Sequence, residues 1–243
     1  MTVAPTSAHP GRAPYRSRWA LVAILACLLG GVTVALLYQF DVLGATSTST
    51  TEGSGVSATQ ARDVSAFDSV ELAGGNNVVI HVGGQQSVVV KADDNLLSRV
   101  TTRVQSRTLV IGNTPGSLRT KSPMSVAVTV PTLSELTLAG GGNIVVDGIE
   151  TQSLTVTLSG AGNLTGSGAA RSLGVTLSGA GNVWFTGLVA GTVHAVLSGS
   201  GNIFVTATRS LDASVPGSGT INYAGNPPNV TKSVTGSGAI TGS

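Results

Sequence analysis

Cysteine is almost absent from this 243-residue chain, which contains a single one, Cys27. One thiol excludes an intrachain disulfide and a cysteine-based zinc site. Charge is also scarce, because Asp, Glu, Lys and Arg together make up 10% of the residues. From Asp41 onward there are ten Lys and Arg against eleven Asp and Glu. This balance speaks against nucleic acid as a partner, since phosphate binding needs a strongly positive surface.

Groups that could perform catalysis are equally sparse. After Thr151 the charged residues are Arg171, Arg209, Asp212 and Lys232, whereas an enzyme needs titratable groups that converge. The Gly-x-Gly segments recur without a following helix, so they do not indicate a phosphate loop. The other candidates for a catalytic or metal site are three scattered acids, Glu135, Asp147 and Glu150, and two histidines, His81 and His194. The two histidines do not have metal-ligand spacing. The sequence therefore predicts no catalytic, cofactor-binding or metal-binding residue.

One long apolar run is present, and residues 19–38 contain no charge. A helix of this length, at ~1.5 Å per residue, matches a hydrocarbon core of ~30 Å. Three arginines precede the run and Asp41 follows it, so the positive-inside rule keeps residues 1–18 in the cytoplasm as a short basic tail. The sequence therefore predicts a single-pass anchor at 19–40 in the cytoplasmic membrane, with residues 41–243 outside.

Two alternatives to an uncleaved anchor are open. A cleaved secretory signal would have a shorter apolar core followed by a small-x-small site. Residues 24–27, Ile-Leu-Ala-Cys, are faintly similar to the lipobox of bacterial lipoproteins, but the apolar run continues well past Cys27. We therefore prefer an uncleaved anchor in which Cys27 is buried in the membrane.

Residues 41–60 are rich in Ser, Thr and Gly and have no apolar period. Such a stretch cannot bury a core, so a flexible linker is expected there. The folded domain is then expected at 61–243.

A glycine-containing turn recurs six times in the second half of the chain. It has the form Leu-Ser-Gly-x-Gly-Asn with variants, and its last residues are Asn143, Asn163, Asn182, Asn202, Thr220 and Ala239. Intervals of 18 to 20 residues indicate a solenoid. Apolar and polar residues alternate before each turn, as in Leu-Thr-Val-Thr-Leu at 154–158, which is typical of a half-buried strand. The sequence therefore predicts an all-β parallel β-helix of about 19–20 residues per coil.

The turn residues are expected to hold neighbouring coils together. Their glycines are expected to supply conformations with φ > 0. Their asparagines tolerate the left-handed region and are expected to hydrogen-bond along the axis as a ladder. With an earlier copy of the turn that ends at Asn77, the set is Asn77, Asn143, Asn163, Asn182, Asn202, Gly160, Gly162, Gly179, Gly181, Gly199 and Gly201. A regular surface for sugars or ice is the alternative, and a structural role is preferred.

Residues 61–135 show strand patterns of lower regularity. The 66 residues between Leu72 and Leu138 leave room for about three irregular coils, and 93–99 is expected to be a loop or a single helical turn. Near the other end, Lys232 falls on the inward parity of its strand. A charge there is tolerable only at an open end of the solenoid or beneath a partner.

A basic stretch is the candidate for charged contacts. No acid lies between Asn95 and Ser134, and this segment contains Arg99, Arg103, Arg107, Arg119 and Lys121. It could meet anionic envelope polymers or lipid headgroups. A solvated edge of irregular coils is the preferred interpretation.

Several motifs occur together along the chain: Phe-Asp-Ser-Val at 67–70, Ala-Asp-Asp-Asn-Leu-Leu at 92–97, Val-Ala-Val-Thr-Val-Pro at 126–131, the Ser-Gly-x-Gly-Asn turns, and Lys-Ser-Val-Thr-Gly-Ser-Gly at 232–238. In this combination the chain resembles the bacterial family called putative auto-transporter adhesin, head GIN domain, from about Arg62 to Gly242. The resemblance implies a right-handed β-helical fold in a cell-envelope setting. The uncleaved anchor departs from the many relatives that look like lipoproteins or cleaved exports.

These features predict a membrane-anchored, non-enzymatic β-solenoid outside the cytoplasmic membrane, used for adhesion or for contact with an envelope polymer or protein. Two alternatives are a polysaccharide-acting β-helix enzyme and a sensory or assembly module that stacks with copies of itself through the solenoid ends.

Overall fold

Alternation of apolar residues along the chain becomes alternation of inward and outward side chains in the computed structural model, which describes residues 50–243. The predicted tail and anchor, Cys27 and residues 41–49 lie outside the described residues. Within residues 50–243, no helix is long and apolar enough to cross a membrane.

The described residues form one 3-10 helix, Asp94–Arg99, and seventeen strands. The strands are β1 (Thr50–Glu52), β2 (Ser57–Ala61), β3 (Ser69–Leu72), β4 (Asn77–Val82), β5 (Ser87–Asp93), β6 (Val100–Gln105), β7 (Thr108–Asn113), β8 (Ser117–Arg119), β9 (Ser125–Val130), β10 (Glu135–Leu138), β11 (Asn143–Leu158), β12 (Asn163–Leu177), β13 (Asn182–Leu197), β14 (Asn202–Val215), β15 (Thr220–Ala224), β16 (Asn229–Val234) and β17 (Ala239–Gly242). The all-β solenoid that the repeat predicts is confirmed, and so is the helical turn after Asp93.

Four long strands, β11 to β14, each wrap one coil of the solenoid. Neighbouring coils pair in parallel, and equal positions of the repeat lie opposite each other, as with Asn143 and Asn163 or Leu158 and Leu177. The inward Leu and Val residues stack into one continuous buried core. A slip of one residue would turn this entire apolar set toward water, so the core fixes the register.

The segment between Leu72 and Leu138 does not form three coils, and that prediction is wrong. Leu138 of β10 lies directly opposite Leu72 of β3, so the intervening 66 residues leave the stack and return to it. On the other side of β3 and β4 they supply one further parallel coil, in which β7 pairs with β3 and β9 with β4.

Antiparallel strands complete that end of the solenoid. Strand β6 pairs with β7, β5 pairs with β9, and β2 pairs with β5. The β6–β7 hairpin turns within two residues, because Ser106 and Arg107 both adopt positive φ angles of 48° and 67°. Short reversals of this kind make hairpins possible where a parallel coil would need a long crossover.

The prediction of a flexible linker at 41–60 is wrong for residues 50–60. Strand β1 pairs in parallel with β8, and β2 pairs with β5, so residues 50–60 belong to the folded domain. Backbone pairing requires no apolar period, which is why the composition concealed these strands.

The buried side chain of Asp93 holds residues 50–60 to the rest of the domain. Its carboxylate accepts hydrogen bonds from the backbone N–H groups of Gly55 at 3.0 Å, Lys121 at 2.9 Å and Ser122 at 3.3 Å. The bond from the Lys121 N–H is the main reason that the pKa of Asp93 lies below its ordinary value. A carboxylate that accepts several backbone N–H bonds is favoured in its charged form.

The outer face of the turn-exit strands

The strands that follow the glycine turns share one outer surface, which we call the exit face. It is built from β9, β4, the first halves of β11 to β14, β15 and β17, which lie side by side in that order. Two rows of outward side chains run across it along the solenoid axis, the first through the turn asparagines and the second two residues further along each strand.

The first row is the asparagine ladder, Asn77, Asn143, Asn163, Asn182 and Asn202. From Asn143 onward, each Nδ2 group donates to the Oδ1 atom of the preceding asparagine, at 3.0 Å for the first three bonds and 2.9 Å for the bond from Asn202 to Asn182. Parallel strands lie ~4.8 Å apart, so equal amides on successive coils come within hydrogen-bonding reach.

The turn glycines serve a different purpose from the one predicted. None of the glycines named in the ladder set has a positive φ angle, and neither has any of its asparagines. Instead, the backbones of successive turns touch: a Cβ atom on Gly162 would lie 1.7 Å from the carbonyl oxygen of Gly142, and one on Gly181 would lie 1.9 Å from that of Gly162. These two positions therefore require glycine, because a side chain there would collide with the backbone of the preceding coil.

The second row is mostly apolar and is uncharged throughout. In register along the axis it contains Val79, Val145, Thr165, Trp184, Phe204 and Asn222. Val79 and Val145 are both 46% exposed and Trp184 is 42% exposed. The rings of Trp184 and Phe204 stack with centroids 4.0 Å apart and planes 6° from parallel. Exposed apolar side chains aligned in one row are a feature of interaction surfaces.

Two histidines that sequence reasoning left isolated each meet an aspartate from a neighbouring coil. His81 Nδ1 lies 2.5 Å from Asp147 Oδ1, and His194 Nδ1 lies 3.1 Å from Asp212 Oδ2. The repeat itself could have revealed both pairs: His81 and Asp147 each stand four residues after a turn asparagine, and His194 and Asp212 each stand three residues before the last residue of their strand.

Neither His–Asp pair belongs to a larger cluster of metal-binding side chains in the described residues. All four side chains are more than half exposed, and exposed pairs of this kind contribute about 0–1 kcal/mol to stability. Asp147 lies early in β11 and Asp212 lies late in β14, so these two acids do not converge on one site. Among residues 50–243, no group of three His, Cys, Asp or Glu side chains could hold a metal ion.

Acids from elsewhere in the chain meet two residues of the basic stretch, Arg107 and Arg119. Arg107 donates to Asp68 Oδ2 from Nε at 3.0 Å and Nη2 at 2.7 Å, and this hydrogen bonding is the main cause that lowers the pKa of Asp68. Arg119 lies 3.6 Å from Glu52.

Arg99 donates to the carbonyl oxygen of Pro115 at 2.8 Å. Arg103 lies on β6, and Lys121 follows β8. In the part of the chain that the structure describes, the side chain of neither residue forms an ion pair with an acid. The anionic-polymer contact predicted from the five basic residues stays a prediction.

Lys232 occupies the open edge of the stack. Every residue of β16 is exposed, including Val230 and Val234, whose positions are inward in parity. Lys232 itself lies opposite the buried Ala213, and its Nζ atom is 4.7 Å from the centre of the Tyr223 ring. Within the described residues Lys232 therefore lies on an exposed edge strand, and coverage of that edge by a partner stays a prediction.

Parallel coils, a continuous apolar core and a turn ladder place this protein among the β-solenoids. The chain belongs to the family described as putative auto-transporter adhesin, head GIN domain, whose model matches residues 66–227. This confirms the family predicted from the sequence motifs.

Solved structures with the same fold include a putative adhesin from Bacteroides fragilis, which is 24% identical with a TM-score of 0.68; the match covers 79% of this chain and 100% of that one. A putative lipid binding protein from Parabacteroides distasonis is 22% identical with a TM-score of 0.52, and 80% and 100% of the two chains are covered. No curated protein sequence matches the chain.

Proposed function

We propose that this protein is a non-enzymatic envelope-interaction module, anchored in the cytoplasmic membrane by residues 19–40, that uses the exit face for adhesion outside the membrane. The family and the fold support a surface role, since adhesin is the family's own description. The uncharged run at 19–38, with Arg12, Arg16 and Arg18 before it, supports the anchor and its orientation.

One observation carries the binding role, namely the exposed second row of the exit face. A monomeric protein rarely leaves aligned Val, Trp and Phe side chains in water without a use for them. The asparagine ladder beside this row bonds coil to coil, so the apolar row rather than the ladder carries the proposed contact.

A sedimentation assay tests the proposed function directly. Full-length protein is mixed with isolated cell-envelope fragments, and the bound fraction is measured after centrifugation. Val79→Lys places a charge on the exit face and should abolish binding. Val189→Lys is the matched control, because Val189 is 47% exposed on another part of β13 and should bind like the wild type. Equal binding by both variants would place the interaction elsewhere.

The anchor is tested by labelling cysteines in intact cells. The chain has one native thiol, so Cys27→Ala removes the background. A Thr46→Cys substitution should then react with a membrane-impermeant maleimide, whereas Thr2→Cys should react only after lysis. Labelling of both positions in intact cells would overturn the orientation, and loss of the N-terminal segment from the mature protein would indicate cleavage.

A further inference from the structure

Strand β16 has one edge without a neighbouring strand. It pairs with β14 on one side, and within residues 50–243 no strand pairs with its other side. An edge strand presents N–H and C=O groups with which an added strand can pair. Proline would block such pairing, and the two prolines nearby precede β16 rather than lie in it. The backbone of β16 can therefore accept one further strand.

The inward positions of β16 continue the buried columns of the preceding coils. Val230 lies opposite Leu211 and Val234 lies opposite Val215, and both of these partners are buried. Val230 and Val234 are themselves 39% and 46% exposed. A strand added in the same register would place side chains against the two valines and remove apolar surface from water.

Lys232 lies between these valines on the same side of the strand and adds a charge to the edge. It is opposite the buried Ala213, and its Nζ atom is 4.7 Å from the centre of the Tyr223 ring. None of the ion pairs among residues 50–243 involves Lys232. A carboxylate on an added strand would be attracted to this ammonium group, whereas a second ammonium would be repelled. An apolar side chain there would remove water from the charge without replacing it.

A second copy of the chain does not supply that carboxylate. Two β16 edges would bring two Lys232 side chains together. At the other end of the sheet the terminal strand β6 carries Arg103 and no acid, and the edge strand β2 carries no charge. Contacts between copies would thus oppose like charges or leave Lys232 unneutralised, and such mismatches are a means of rejecting a wrong partner.

From these contacts we infer that the free edge of β16 binds an extended strand of a different protein. The bound strand carries a carboxylate opposite Lys232 and an apolar side chain opposite each of Val230 and Val234. Main-chain hydrogen bonds give such strand addition its affinity, and side chains at alternate positions give it selectivity. The contact is separate from the exit face, because β16 pairs with the second half of β14.

Peptide binding to the full-length protein in detergent tests this inference. The probe is a labelled peptide, Ser-Thr-Val-Thr-Glu-Thr-Val-Thr-Ser, compared with versions that have Lys or Gln in place of Glu, and fluorescence anisotropy measures binding. We expect the acidic peptide to bind saturably and the lysine peptide to bind at least about tenfold more weakly, because it opposes two ammonium groups. Added salt should narrow the difference.

Reversing the charge on the protein gives the most specific result. Lys232→Glu should invert the preference, so that the lysine peptide binds more tightly than the acidic one. Both peptides are compared on the same variant, so a change in stability does not mimic the inversion. Thr231→Glu introduces the same side chain on the opposite side of the strand and should keep the wild-type preference. Circular dichroism checks that both variants retain their strands.

Equal affinity of the wild type for the acidic and lysine peptides would overturn selection by Lys232. Absence of saturable binding by every peptide up to ~1 mM would overturn strand addition itself. Wild-type dimers that disappear in Lys232→Glu would show that a second copy occupies the edge, and the inference would then be wrong. Val79→Lys, which alters the exit face, should bind the peptides like the wild type, so failure of the proposed function and failure of this inference are distinguishable.

Discussion

Single residues in this protein stabilise the fold through contacts that span many residues of sequence. The clearest case is the asparagine ladder, in which Asn143 bonds Asn77 across 66 residues and Asn202 bonds Asn182 across 20. Interior members take part in two amide bonds, whereas Asn202, at the end, donates one such bond.

The difference between interior and terminal asparagines gives a graded prediction. A neutral hydrogen bond contributes about 0.5–1.5 kcal/mol, so Asn182→Ala should lower the free energy of unfolding by about 1–2 kcal/mol and Asn202→Ala by roughly half as much. Urea denaturation of both variants measures this. Binding to envelopes should survive in each. A ladder that served as a ligand surface would show the reverse: unchanged stability with reduced binding.

Strands β1, β2 and β5 to β9 form the end of the solenoid that we call the cap, and Asp93 makes its stability depend on pH. Its folded pKa lies below the usual 3.8, so the stabilisation is fully present above pH 3.8 and is lost as the pH falls through the folded value. Asp93→Asn should therefore destabilise the protein most at neutral pH, and the gap to the wild type should narrow in acid. Denaturation at pH 7 and pH 3 checks this, with the more exposed Asp68→Asn as the milder comparison. A gap that is constant between the two pH values would contradict it.

At the scale of elements, the turns decide how closely coils can stack. Alanine substitutions at Gly162 and Gly141, which belong to equivalent turns, form a matched test of this closeness. A Cβ atom on Gly162 would meet the Gly142 carbonyl oxygen at 1.7 Å, whereas one on Gly141 would meet nothing within 4 Å. Other turns already have Ala161 and Ala180 at the position of Gly141.

Gly162→Ala should therefore cost about 2–3 kcal/mol of stability, since overpacking forces the backbone to shift. Gly141→Ala should be neutral, or slightly stabilising because alanine restricts the unfolded chain. Thermal unfolding of the two variants makes the comparison. Equal tolerance of both changes would mean that the turns can separate without loss, and the close contact between coils would then not be essential.

Elements also show where a sequence pattern predicts structure well and where it does not. Strands β11 to β14 follow from the repeat because each coil has its own alternation and its own turn. The cap does not follow, because β7 and β9 find partners in β3 and β4 that precede them in sequence by tens of residues. Strands β1 and β2 lack an apolar alternation and are held by backbone pairing and by Asp93, so composition alone suggested a linker.

For the whole molecule, the two ends of the stack differ. Antiparallel strands cover one end, whereas β16 is exposed at every position at the other. An inward-pointing charge is one of the ways in which natural sheets resist edge-to-edge pairing. Lys232, held over Tyr223 at 4.7 Å, fits that role.

Lys232→Val should consequently allow end-to-end association. Sedimentation velocity of full-length protein at constant detergent should show a concentration-dependent dimer for this variant and a single species for the wild type. Thr231→Val, on the opposite side of the same strand, is the control and should resemble the wild type. Dimers of the wild type that disappear when the last coil is altered would instead support the self-stacking module considered from the sequence.

The sequence by itself determined the β-solenoid, its coil length, the family and the asparagine ladder as a pattern. These follow from local alternation and from a repeat, which a single chain displays in order. Tertiary structure alone decided the cap, the role of the turn glycines and the two His–Asp pairs. Each of these depends on which residues of different coils become neighbours at ~4.8 Å, and that is set by the register of the stacked core rather than by any local segment.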